Sequence, residues 1–125
     1  MQKVKYADSD FILALVKPSD WLKERAEKIL NENKGDIRTS LVSLIEIALV
    51  LEKFNLRVLE IFANLFDIIE IDESEQRIAL TAASYIEENG LNVFDAFHAA
   101  SCGNDTIISS DKVYDKIGLK RINLA

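Results

Sequence analysis

A chain of 125 residues with 49% hydrophobic and 29% charged side chains has the composition of a folded globular protein, at a length that usually forms one domain. The formal net charge of −6 excludes a protein whose affinity for nucleic acid comes from a broad basic face, but not an enzyme whose negative charge is gathered at a metal site. No apolar run approaches the ~18 residues of a membrane span, and "MQKVKYADSD" has no apolar signal core behind it, so a cytoplasmic protein is expected.

"KVKYA" (3–7) reads as a short strand running into "DSDFILALV", where Asp8 or Ser9 can cap a helix carrying Phe11, Ile12, Leu15 and Val16. Pro18 interrupts. A second helix follows, capped by Ser19 or Asp20, with Trp21, Leu22, Ala26, Ile29 and Leu30 on one stripe and Gly35 at its end. "DIRTS" is a brief strand, and Thr39 or Ser40 caps "LVSLIEIALVLEKF". "NLRVLEIFANLF" is a further helix and "DIIEI" (67–71) is strand-like. Glu73 or Ser74 opens a long helix closed by Gly90, a position where positive φ is wanted. The helix "VFDAFHAASCG", the strand "TIIS", a short helix "DKVYDKI" and a last strand "LKRIN" complete the order. Short strands alternating with helices predict an α/β domain: three layers, α/β/α, around a short, mostly parallel central sheet.

Ligands bind such domains at the carboxyl edge of the sheet. Asp8 follows the first strand and Asp111 follows "TIIS", so both belong to that edge. Asp95 opens a helix that descends from the same edge. Glu46 lies about two turns into an apolar helix, between Leu44, Ile45, Ile47 and Ala48, where a charge needs a partner. The plain alternative for Asp8, Asp95 and Asp111 is that each only caps a helix. Four acids from distant segments pointing at one rim favour a cluster.

Two like charges ~4 Å apart repel by about 4 kcal/mol at an effective dielectric near 20. Four ionised carboxylates in one pocket therefore call for protonation or a cation, and oxygen donors select a hard one, Mg²⁺ or Mn²⁺. His98 and Cys102, one helical turn apart, make half a zinc site with no second pair to complete it. Cys102, the only cysteine, forms no internal disulfide and reads as a small buried hydrophobe.

At this point the chain resembles the PIN-domain nucleases, and most closely their small VapC-type toxin branch. "YADSDFILAL", "TSLVSLIEIALVL", "GLNVFDAFHAA" and "TIISSDKVYDKI" carry the likeness, in order, from residue 3 to about 122. The resemblance implies one PIN-like domain over residues 1–125 and a Mg²⁺- or Mn²⁺-dependent endoribonuclease. Asp8, Glu46, Asp95 and Asp111 match the metal-binding acidic positions, and Asp115 an auxiliary acid seen in some members. Ser109 stands where Thr is frequent, keeping a hydroxyl beside the site. Asp10 departs from the Asn of many VapC-type members and adds a negative charge. His98 matches a frequent position, with packing or hydrogen bonding as its expected role.

Metal-assisted hydrolysis would leave a 5′-phosphate and a 3′-hydroxyl and needs no histidine base. RNA is then the substrate. A homodimer and an inhibitory antitoxin protein are the expected partners, covering apolar residues of the second and fourth helices that include Trp21 and Phe62; packing within the monomer is the alternative. Lys17, Lys23, Arg25, Lys28, Lys112, Lys116, Lys120 and Arg121 can form basic lips or stand as scattered solvated charges. Three rival readings remain. One is a PIN nuclease of RNA processing outside a toxin–antitoxin pair, and another an inactive PIN-like binding module. The third is a phosphohydrolase using "DSD" as an aspartyl nucleophile pair, for which "KVKYA" is a mediocre strand and no lysine is clearly placed.

Overall fold

A computed structural model describes residues 4–124. Lys3, the first residue of the expected opening strand, lies outside them. Strand β1 is Lys5–Tyr6 and leads into helix α1, Ser9–Val16. Asp8 is the N-cap of α1, its carboxylate accepting the Ser9 N–H. Lys17 is held extended at φ −70° and ψ 139°, as the residue before a proline must be, so Pro18 ends the helix.

Helix α2, Lys23–Glu32, begins two residues later than the hydrophobic stripe implied. The Asp20 carboxylate accepts the Leu22 N–H at 2.9 Å and holds a turn ahead of the helix. Trp21 falls on the outside of that turn and is 90% exposed, so it is no part of the α2 stripe; Ala26 is the buried anchor. The Lys23 ammonium donates to the carbonyls of Leu15 and Lys17 at 2.7 and 3.1 Å, placing a cation on the last turn of α1.

Strand β2, Ile37–Arg38, pairs parallel with β1, Lys5 opposite Ile37 and Tyr6 opposite Arg38. Helix α3, Leu41–Lys53, follows. Neither hydroxyl expected to cap it does so. Thr39 Oγ1 donates to the Ala7 carbonyl at 3.1 Å, and Ser40 Oγ is 2.6 Å from the Tyr6 hydroxyl. The Leu41 N–H instead donates to a Glu75 carboxylate oxygen at 3.0 Å, an acceptor supplied from a distant helix. At its other end α3 closes with Asn55 at φ 58°, a conformation asparagine tolerates better than most residues, and the Leu56 N–H returns to the Leu51 carbonyl.

Helix α4, Val58–Leu65, buries Val58, Phe62 and Leu65. Phe62 is fully buried and stacks on Phe66 with ring centroids 6.1 Å apart, so it belongs to the core of the monomer. The strand-like stretch 67–71 contributes a single parallel bridge, Glu70 to Arg38, beside β2. Helix α5, Glu73–Asn89, starts on an Asp72 cap and ends at Gly90, whose φ of 68° is the left-handed conformation expected. Helix α6, Val93–Cys102, packs on α5 more extensively than any other pair of helices. Ala79, Ala82 and Ala83 of α5 and Ala96 and Ala99 of α6 are all buried, and such small side chains allow two helices to approach closely.

Strand β3, Ile107–Ser109, and strand β4, Arg121–Asn123, pair parallel on either side of the 3₁₀ helix Lys112–Ile117. The central sheet is parallel throughout, but it is laid down as two short two-stranded pieces, β1–β2 and β3–β4. Helices carry most of the core: Ile12, Leu44, Ile47, Leu51, Phe62 and Val93 are its most deeply buried large side chains along with Leu65 and Val58. The architecture is consistent with three layers, α/β/α. No helix among the described residues is long and apolar enough to cross a membrane.

Candidate acidic site

Each sequence-predicted acid sits where a strand or loop turns into a helix or on the face beside one. Asp8 ends β1 and caps α1; besides the Ser9 N–H at 2.6 Å, its Oδ1 is 3.4 Å from Ser9 Oγ. The same hydroxyl is 3.5 Å from Glu46 Oε2. Ser9 has one hydroxyl proton, so it donates to Asp8 or to Glu46, not to both at once. Asp8 and Glu46 therefore flank a single switchable donor. Glu46 was expected among apolar neighbours; it is exposed, because Leu44, Ile47 and Ala48 turn inward and leave position 46 on the outer side of α3.

Asp95 is half-buried in the first turn of α6. Asn92, the N-cap, accepts the Asp95 N–H at 2.9 Å and donates its amide to Asp95 Oδ2 at 2.7 Å. The other carboxylate oxygen, Oδ1, is 3.4 Å from the donating Tyr114 hydroxyl. Asp111 caps the 3₁₀ helix, its Oδ1 accepting the Val113 N–H at 2.9 Å, while its own N–H donates to Ser109 Oγ at 3.0 Å. Burial pushes the Tyr114 hydroxyl above its ordinary pKa, and the negative charges of Asp95 and Asp111 push in the same direction. Tyr114 thus stays a neutral donor to Asp95, with the charge of Asp111 near enough to be felt at its hydroxyl.

Helix α3, which carries Glu46, packs on α1 and on α6. The acids nevertheless do not gather into one group. Among the described residues, no three His, Cys, Asp or Glu side chains gather closely enough to hold a metal ion. In kind the donors fit a hard divalent cation, being carboxylates with hydroxyls beside them; in placement they stop short of a cage.

Asp115 is engaged elsewhere. Arg121 grips it with two nitrogens at 3.0 and 2.9 Å, and that guanidinium holds the Asp115 carboxyl below its ordinary pKa. Arg121 also donates to the Ser109 carbonyl at 2.9 Å, so it ties β4 to the end of β3 and is not a free basic lip. Lys17 is likewise taken, 3.8 Å from Asp20 and over the ring of Phe54. Asp10 and His98 are exposed, and neither makes a hydrogen bond or ion pair among the described residues. Cys102 is half-buried, its thiol donating to the Asp105 carbonyl at 3.1 Å.

Sequence reading missed Asn92, Tyr114 and Ser9 as partners of the acids. Asn92 carried a signal: a capping residue three positions before an acid is the reciprocal arrangement of a capping box. Tyr114 lies three residues after Asp111, with nothing local to link it to Asp95.

Asp8 and Asp111 follow parallel strands and Asp95 opens a helix, in an α/β domain whose helices pack around short parallel strands. The chain matches the PIN domain family over residues 5–120 and belongs to that family. PIN domains are generally nucleases, and PIN nucleases generally use divalent metal ions. Comparisons with curated proteins and with solved structures give no match.

Proposed function

We propose that the chain is a divalent-ion-dependent endoribonuclease, a single catalytic domain working in the cytoplasm as the toxin of a toxin–antitoxin pair, with Asp8, Glu46, Asp95 and Asp111 as its acids. The observation that carries this reading is the span of the family match: residues 5–120 take in all four acids, with the Ser9 hydroxyl beside Asp8 and Glu46 and the Tyr114 hydroxyl beside Asp95. Bound by these carboxylates, Mg²⁺ or Mn²⁺ would acidify a water and offset charge on the scissile phosphate.

The chain's own residues have definable tasks. Ser9 shares its proton between Asp8 and Glu46 and keeps both carboxylates within reach of one point. Asn92 fixes the direction of the Asp95 carboxylate, and Tyr114 holds its second oxygen. Ser109 fixes the backbone at Asp111, and Arg121 neutralises Asp115, so that acid adds no uncompensated charge. Exposed Trp21, Val42 and Phe54 support cover by a protein, a second copy or an antitoxin.

The test is cleavage of single-stranded RNA by the purified chain with Mg²⁺ or Mn²⁺, leaving 5′-phosphate ends. Asp8→Asn and Asp95→Asn should each abolish cleavage while leaving the helical circular dichroism spectrum intact. Full activity in either variant removes that residue from the site. A second reading, a binding module without activity, draws support from the acids not gathering into a metal-holding group among the described residues. In that case Mn²⁺ gives no rise in Tm, whereas a metal-binding nuclease is stabilised by mass action. A short neighbouring reading frame encoding a DNA-binding protein distinguishes a toxin from an RNA-processing nuclease.

A further inference from the structure

We propose that the pocket beside Asp8 seats one unpaired guanine of the substrate RNA, with Asp10 as the residue that reads it; the proposal rests on the ribonuclease reading above. The pocket encloses about 240 Å³, with Ala7, Phe11, Ile29 and Ile37 as its apolar lining and Asp8 in its wall. A base held there lies directly against one of the candidate acids, with its phosphodiester within reach of the acidic rim.

Besides the Lys5 ammonium, the pocket presents free acceptors on Asp10 and Asn33. Asp10 lines it, and both carboxylate oxygens are unoccupied because Asp8, not Asp10, caps α1. Asn33 also lines it; its amide nitrogen donates to the Ile29 carbonyl at 2.8 Å, which leaves the amide oxygen to accept. An apolar slot with acceptors at its edge selects a flat, weakly polar ligand that brings donors. Unpaired bases are read in this way, by stacking and by hydrogen bonds to their Watson–Crick edge. Guanine is the base that presents two adjacent donors, N1–H and N2–H, to one carboxylate. The flanking phosphates meet Lys5, which lines this pocket, and Arg25, which lines the adjoining groove that shares Asp10, Phe11 and Ile29. An arginine from a protein partner also offers paired N–H donors, but its small guanidinium covers less of the apolar lining of Ala7, Phe11, Ile29 and Ile37 than a purine ring does.

Titration of the ¹⁵N-labelled full chain with GMP, AMP, CMP, UMP and, separately, N-methylguanidinium tests the pocket without relying on cleavage. GMP is expected to shift the amides of Ala7, Phe11, Ile29 and Ile37, and IMP, which lacks the N2 amine, to bind more weakly. Asp10→Asn should weaken GMP by roughly 5- to 150-fold, the span of one bidentate base contact. It should also relax any preference for cutting beside guanine by a similar factor. Ile29→Trp, which fills the slot, should remove GMP binding if the variant folds; Asp10→Asn, at an exposed site, carries the test if it does not. A chain that cuts RNA but shows no GMP shifts at these amides overturns the pocket and leaves the ribonuclease reading standing. Binding of GMP by a chain that cuts nothing keeps the base site and removes the ribonuclease reading. Shifts from N-methylguanidinium alone overturn the proposal in favour of an arginine-bearing protein partner.

Discussion

Asn92 makes two bonds to the same residue, so replacing it separates stability from site geometry. Asn92→Ala removes the cap on α6, a loss of about 1 kcal/mol within a range of roughly 0.5–2 kcal/mol. It also removes the amide donor 2.7 Å from Asp95 Oδ2. A bond to a buried charged group is worth about 1.5–3 kcal/mol, and Asn92 is exposed, so this one contributes less. The sum is about 1–2 kcal/mol, which lowers Tm by roughly 3–10 °C for a chain of this size. Activity should fall further than stability implies: with Asp95 no longer directed, roughly 10- to 100-fold is expected, the usual cost of losing a residue that orients a metal-binding side chain. Asn92→Ser restores an oxygen that can cap the helix but no amide donor, so it should recover most of Tm and little of the activity. Thermal melts by circular dichroism and initial cleavage rates at saturating Mg²⁺ measure the two effects. A Tm for Asn92→Ala within about 1 °C of the parent would refute the capping argument. Equal recovery of Tm and activity in Asn92→Ser would refute the orienting one.

Phe62→Ala should cost about 3–5 kcal/mol in urea unfolding, a large part of a total of roughly 5–15 kcal/mol, because Phe62 is fully buried; a loss below about 2 kcal/mol would mean the core collapses around the gap. Glu75→Ala leaves the Leu41 N–H of α3 without its acceptor and should cost about 0.5–2 kcal/mol, an unchanged melt placing that N–H on water instead. The Arg121 bond holds Asp115 below the ordinary carboxylate value of 3.8. A lowered folded-state pKa stabilises above the unfolded value and loses that contribution as pH falls through the folded one. The Tm gap between the parent and Asp115→Asn should therefore be open at neutral pH and close at pH values below 3.8; a gap independent of pH would show that charge plays no part.

Signals acting within one turn were legible in the sequence. Asp8 caps where the pattern put it, Pro18 stops α1, and Gly90 takes positive φ, because each depends on neighbours a few residues away. Signals that cross the fold were not. Hydroxyls at positions 39 and 40 read as caps, yet both are drawn to β1, and the vacancy is filled by Glu75 from α5. Trp21 matched the apolar spacing of α2, but the Asp20 turn rotates it outward. The run 67–71 has strand composition, and only Glu70 finds a pairing partner, beside β2. Arg121 looked like a free cation because its partners, Asp115 and the Ser109 carbonyl, come together only when β4 docks on β3.

The same distinction applies to the acids. Asp8 and Asp111 follow β1 and β3, and Asp95 lies in the first turn of α6, positions that the order of strands and helices in the sequence implies. Their state follows from what each carboxylate meets. An acid amid Leu44, Ile45 and Ile47 would need a partner if buried. Position 46 instead faces outward, and the exposed Glu46 approaches a serine hydroxyl shared with Asp8. Water screens charges there, and a donor between two carboxylates holds them near one another without forcing contact. Tyr114, kept neutral by burial and by the charges of Asp95 and Asp111, donates to Asp95. Ser9→Ala, which leaves every carboxylate in place, should separate Asp8 from Glu46 and lower any Mn²⁺-induced rise in Tm; an undiminished rise would show that the hydroxyl does not hold the pair together.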